Sequence, residues 1–131
     1  MDEEIRKIRE RKMEEFMKKQ ESPDKPLVMS DQGFDETLKK YPLVVVDFWS
    51  ENCPPCRLIA PVLEELAADM RGNVVFGKVC VDEYREKAME FGISAIPTLL
   101  IFREGKLVDR IVGFSSKDDL VSRLSKHLGG D

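Results

Sequence analysis

Two cysteines three positions apart, in the run Trp49-Ser50-Glu51-Asn52-Cys53-Pro54-Pro55-Cys56, carry the most specific chemistry in this chain. They follow a strand-like run, Leu43-Val44-Val45-Val46-Asp47-Phe48, and open a helix-like run that extends from Arg57 through Met70. A dithiol at a strand-to-helix junction is arranged for reversible disulfide chemistry. The first sulfur sits where helix amides and the helix dipole favour a thiolate. The second lies one turn on, close enough to attack and resolve a mixed disulfide. Cys53 is therefore the expected nucleophile and the more exposed sulfur, with the Cys56 amide, near the third helical position, as its hydrogen-bond donor. Pro54 and Pro55 have no N–H to offer. Cys56 is expected to be the buried, resolving thiol and to need a base. Asp47 is the candidate: an acid set among Val and Phe has its pKa raised by desolvation and can exchange a proton with Cys56, directly or through water.

These residues need a scaffold, and the rest of the chain supplies the elements of one. The 131 residues suffice for one domain of ordinary size with a real core. Hydrophobic residues make up 42% and charged residues 35%, as in soluble globular proteins. A net charge of -4 and a pI of about 5.2 argue against nucleic acid or an anionic membrane as the main partner. The sequence contains no apolar run long enough to span a bilayer, and its charged N-terminus lacks a signal-peptide core. A cytoplasmic location is expected, where a Cys-x-x-Cys pair is catalytic or metal-binding more often than a staple. The count of three cysteines leaves Cys80 without a partner in the chain, as a small buried core residue. No second Cys/His pair completes a zinc site. His127, the one histidine, has the setting of a surface or packing residue.

Residues 1–25 form a charged N-terminal extension, helical in pattern, and residues 26–131 the main domain. Up to about residue 22 the extension carries seven basic and seven acidic residues, with Ile5, Ile8, Lys12 and Phe16 at roughly helical spacing and Met13 and Met17 beside them. Ser22-Pro23-Asp24-Lys25-Pro26 breaks that pattern. Beyond it, strand and helix alternate. Leu27-Val28-Met29 is a short strand, and a helix runs from Ser30 or Asp31 to about Lys40. Residues 43–48 read as a strand buried on both faces. Leu58, Ile59, Val62, Leu63, Leu66 and Met70 form the core stripe of the next helix, which Pro61 should kink and Gly72 should cap. Val74 to Val81 is a strand and 83–91 a helix. Thr98 to Phe102 and Leu107 to Val112 flank a hairpin turn. Ser116 and Asp119 suggest a capping box for a last helix burying Leu120, Val121, Leu124 and Leu128. Such an order gives an α/β fold with a mixed sheet.

The chain resembles the thioredoxin family in several segments, in order, over about residues 26 to 128. These are Val46-Asp47-Phe48-Trp49 with Cys53-Pro54-Pro55-Cys56-Arg57, the helix Leu58 to Ala67 with its proline, Gly92-Ile93-Ser94-Ala95-Ile96-Pro97-Thr98, and Gly113 before the last helix. The resemblance implies a thioredoxin fold: a mixed central β-sheet flanked by helices on both faces, here with an extra N-terminal helix. It implies a general protein disulfide reductase cycling Cys53 and Cys56, acting on protein disulfide substrates and regenerated by an upstream thioredoxin reductase. It implies no organic cofactor or metal, and a monomer. It makes Pro97 a cis proline, pressing the Ile96 backbone against the sulfurs as an edge for substrate peptide. Lys78 becomes the strand lysine that draws the Asp47 pKa back down. Trp49 packs beneath the site, and Ile96, Gly92, Gly113 and Phe114 complete an apolar rim. Two positions depart from the family pattern. Asn52 stands where a second tryptophan is usual, which removes an apolar contact for partners. Pro54 stands where glycine is usual, and losing its N–H is expected to raise the Cys53 pKa slightly. These departures favour a rival, a specialised oxidoreductase with a narrow partner. The rival from another class is a non-redox binding module.

Overall fold

The computed structural model describes residues 2–128, and of residues 14–21 the backbone only. Helix α1 spans Asp2–Glu21, with Asp2, Glu3 and Glu4 in its first turn, where carboxylates suit the helix dipole. Residues 2–13 are all exposed, Ile5 and Ile8 included. The side chains of Phe16 and Met17, the rest of the expected stripe, lie outside the described residues.

Next come β1 (Leu27–Val28), α2 (Phe34–Lys40), β2 (Leu43–Trp49), α3 (Pro54–Asp69), β3 (Val75–Cys80), α4 (Arg85–Glu90), β4 (Thr98–Arg103), β5 (Lys106–Val112) and α5 (Lys117–Leu128). The five strands form one mixed sheet in the order β1-β3-β2-β4-β5. Strands β1, β3 and β2 run parallel, and β4 and β5 pair antiparallel beyond β2. The chain passes from β1 across to β2, then steps back to β3. Right-handed crossovers in opposite directions place α2 and α3 on opposite faces, so the expected architecture is the observed one.

Strand periodicity sorts the core into two layers. Leu43 and Val45 of β2 join Ile59, Leu63 and Leu66 of α3 and Leu120 and Leu124 of α5. Val44, Val46 and Phe48 join Phe34 and Leu38 of α2 on the other face, with Ala88 of α4 packed against them. Asp47 follows the parity of Leu43 and Val45, so the strand itself delivers it beneath α3. Gly77 leaves room for Met29, which crosses β3 so closely that a Cβ there would collide with its sulfur.

Several expectations are corrected. Helix α2 starts at Phe34, with Gly33 as its N-cap, because Ser30 instead uses its hydroxyl to accept from the Gly33 N–H at 3.3 Å and closes a turn. Leu58 is 64% exposed: it sits about 100° round the helix from Ile59, off the arc that faces the sheet. Val121 and Leu128 are likewise exposed, since Leu120 and Leu124 alone face the core from α5. Met70, two residues before the positive-φ Gly72, is the C-cap of α3.

Phe34 is fully buried and meets Phe48, Phe91 and Phe102 at centroid distances of 5.6 to 6.3 Å. Its replacement, Phe34→Ala, is expected to cost about 3–5 kcal/mol, read as a lower urea midpoint at unchanged slope. A loss under about 1 kcal/mol would place the ring outside the core.

Candidate functional site

The two cysteines stand just past the carboxyl end of β2, where the chain reverses its direction across the sheet, the usual location of sites in open α/β sheets. Cys53 is the N-cap of α3, with extended backbone (φ -127°, ψ 100°), and Pro54 and Pro55 occupy the first two helical positions. Proline suits the start of a helix because its φ is pre-set and its missing N–H would have no partner within the helix. An N-cap side chain reaches the amides of the second or third helical residue. The second belongs to Pro55 and is absent. The Cys56 N–H remains, and it donates to Cys53 Sγ at 3.2 Å. The sulfurs are joined as a disulfide, with the Cα atoms 5.2 Å apart.

Both cysteines are buried, 5% and 4% exposed, so in this disulfide form the two sulfurs differ little in exposure. The cover over Cys53 comes partly from the segment before β4. The Ile96–Pro97 peptide is cis, and the Ile96 carbonyl oxygen lies 3.7 Å from Cys53 Sγ. Thr98, buried, donates its hydroxyl to the Ala95 carbonyl at 2.6 Å and shapes that turn. Gly113, at φ 87°, donates its N–H to the Pro97 carbonyl at 2.8 Å and brings Phe114, half exposed, to the same end of the sheet. Ile96 is half-buried and Asn52 exposed. Gly92, by contrast, ends α4 with its N–H on Met89 and is linked to that helix rather than to the sulfurs.

Asp47 lies below the dithiol. Its residue is 5% exposed, and Oδ1 is enclosed without a hydrogen-bond partner among the described residues. Burial pushes its pKa up from 3.8 to about 7, opposed by the charge of Lys78, its register partner on β3. The same Lys78 ammonium lies 5.7 Å from the centroid of the Trp49 ring, whose Nε1 is also enclosed and unpartnered among the described residues. A cleft of about 310 Å³ opens between Asp47, Trp49, Cys56, Arg57 and Lys78. Behind it a chamber of about 30 Å³ reaches Asp47 from the side of Pro26 and Phe76. The chamber is large enough for about one water. A carboxyl that titrates near neutrality thus shares a cleft with Cys56, which is what proton exchange with a thiol requires.

Cys80 is free and buried, opposite Trp49 in the parallel ladder. His127 takes part in a half-buried cluster, 3.1 Å from Asp109 Oδ2, which Arg123 also binds. No group of three or more His, Cys, Asp or Glu suited to a metal occurs among the described residues, and no described helix is long and apolar enough to cross a membrane.

Three contacts near the dithiol went unforeseen. Ser50, buried, donates to Asp82 Oδ2 at 2.6 Å, and Arg57 Nη2 donates to the Glu51 carbonyl at 2.8 Å. Val81 donates its N–H to the Trp49 carbonyl at 2.9 Å. For the first and the last the one signal is register: pairing Trp49 with Cys80 sets Ser50 beside the turn that follows β3.

The family model described as Thioredoxin matches residues 25–126. A thioredoxin of Staphylococcus haemolyticus strain JCSC1435 is 45% identical over 100 residues, covering 76% of this chain and 95% of that protein. A thioredoxin of Staphylococcus aureus strain Mu50 is 44% identical over the same shares. Among solved structures, a mutant thioredoxin from Halobacterium salinarum NRC-1 superposes with a TM-score of 0.77 at 30% identity, over 82% of this chain and 94% of that one.

The proton on Asp47 makes stability pH-dependent. The native pKa lies above the unfolded value of 3.8, so the folded protein holds its proton longer, and ionisation between about pH 4 and pH 7 destabilises it. The loss is complete above about pH 7 and is on the order of 4 kcal/mol. Asp47→Asn is therefore expected to stabilise the disulfide form at pH 8, with the advantage vanishing near pH 4, in urea unfolding at both values. A pH-independent difference would put the carboxyl in water.

Proposed function

The chain belongs to the thioredoxin family and is a thiol-disulfide oxidoreductase, and on that premise we propose that it works as a general protein disulfide reductase. One observation carries the reading: Cys53 caps α3, beside the Ile96 carbonyl, with Cys56 one turn on in the cleft that Asp47 shares. The Cys53 thiolate attacks a substrate disulfide, one substrate sulfur leaves as a thiolate, and a mixed disulfide forms. Cys56, giving its proton to Asp47, attacks Cys53 and expels the second substrate thiolate. The protein dithiol is oxidised by two electrons and the substrate disulfide is reduced. An upstream thioredoxin reductase returns the electrons.

Lys78 keeps the Asp47 pKa within reach of neutrality. The Ile96 edge, with Pro97 cis, pairs with substrate backbone, and Trp49, Gly113 and Phe114 form the surface around it. Pro54 and Pro55 set the helix start, and this Cys-Pro-Pro-Cys sequence is the active-site variant of the family. Residues 26–131 constitute the working domain and residues 1–25 an extension to it, with the cytoplasm as its compartment. Asn52, exposed beside Cys53 without an apolar ring, favours a narrower range of partners as the second reading.

Insulin reduction with dithiothreitol as electron source tests the main reading. The wild-type chain should turn over and Cys53→Ser should be inactive. Cys56→Ser should stall as a mixed disulfide visible by mass. A wild-type chain that reduces a dedicated partner but not insulin supports the narrow reading, and one that reduces neither contradicts both.

Pro54→Gly restores an amide at the first helical position and is expected to lower the Cys53 pKa, followed by thiolate absorbance in the reduced protein. An unchanged or higher value would contradict the role given to Pro54.

A further inference from the structure

The three residues between β2 and Cys53 carry the nucleophile, and their placement is fixed by side chains the chemistry does not use. Ser50 is buried, and its hydroxyl donates to Asp82 Oδ2 at 2.6 Å across a separation of 32 residues. The adjoining backbone is tied to the same turn, since Val81 donates its N–H to the Trp49 carbonyl at 2.9 Å. On the other side of the loop, Arg57 bonds the Glu51 carbonyl at 2.8 Å. A hydroxyl-to-carboxylate bond of this length is of the stronger, charge-assisted kind. The Arg57 bond is solvent-exposed and weaker.

We propose that Ser50 and Asp82 are positioning residues for the Cys53–Cys56 couple: their hydrogen bond holds the loop before Cys53 at the distance from α3 at which the ring of the disulfide closes. This rests on the reading that these two cysteines are the working pair. In the step concerned, the Cys56 thiolate attacks Cys53 of the mixed disulfide, the new sulfur–sulfur bond forms, and the substrate thiolate departs with the electron pair of the bond it loses. The rate and equilibrium of that step depend on how often Cys53 lies within reach of Cys56, the effective concentration of one sulfur at the other. A loop anchored at Ser50 to the β3 turn raises it. A loop freed from that anchor lets the Cys53 end drift and favours the open dithiol. The pair thus acts on the disulfide form more than on the reduced form, and that difference is what shifts an equilibrium.

The test is equilibration of wild type, Ser50→Ala and Ser50→Thr against reduced and oxidised glutathione, with urea unfolding of each reduced protein. Ser50→Ala is expected to lower the equilibrium constant for disulfide formation about tenfold, equal to an upward shift of about 30 mV. Ser50→Thr keeps the hydroxyl and should stay within about twofold of wild type. An alanine variant within about twofold of wild type, or a shift that threonine fails to rescue, overturns the proposal. Should Ser50→Ala not fold when reduced, Asp82→Ala removes the same bond from the exposed side. A lower constant in that variant supports the proposal and an unchanged one overturns it. A wild-type protein with no reversible couple would instead overturn the functional reading beneath it.

Discussion

The site depends on one hydrogen bond, from the Cys56 N–H to Cys53 Sγ at 3.2 Å. It makes the sulfur the cap of a 16-residue helix, so the group that reacts also satisfies a backbone donor at the helix start. The two prolines sharpen this arrangement. They fix the first turn and remove the competing amide of the second helical residue, leaving the third as the donor. A thiolate at this position gains from the amide and from the positive end of the helix dipole. The strand that ends at Trp49 and the helix that begins at Pro54 are therefore parts of one device, joined by a loop of four residues.

Asp47 shows what that device costs. A carboxyl with an enclosed, unpartnered oxygen beneath α3 destabilises the fold once it ionises, and the register pairing with Lys78 offsets only part of this. A solvent-exposed acid would be cheaper and useless as a proton partner for a buried thiol, since its pKa would stay far below neutrality. The rest of the molecule carries the penalty through two dense layers, one under α3 and α5 and one built around Phe34, Phe48, Phe91 and Phe102.

Much of this was legible in the residue order. The nearly continuous apolar run of residues 43–48 announced a strand covered on both faces, and the single acid within it announced Asp47. Cysteine spacing located the helix start. What escaped notice depended on angle or on distance in sequence. Leu58, Val121 and Leu128 are as apolar as their buried neighbours, and only the rotation of each helix against the sheet leaves them outside. Gly33 takes the α2 cap because Ser30 and its turn intervene, a local competition that apolar periodicity does not register. The Ser50–Asp82 bond joins two small polar residues 32 positions apart and has no periodic signature; it follows from strand pairing alone. In the extension, charges and a few apolar residues give a helix, but no burial of its first turns, and the exposed Ile5 and Ile8 agree with a stripe too sparse to make a core.

The central claim is that Cys53 and Cys56 form a reducing couple. Equilibrating the full chain against a reference dithiol, with the two redox forms separated after acid quench, measures it directly. The expected result is a reversible two-electron couple near the roughly -270 mV typical of thioredoxins. A potential above about -200 mV would make the protein an oxidant or isomerase and contradict the reductase role.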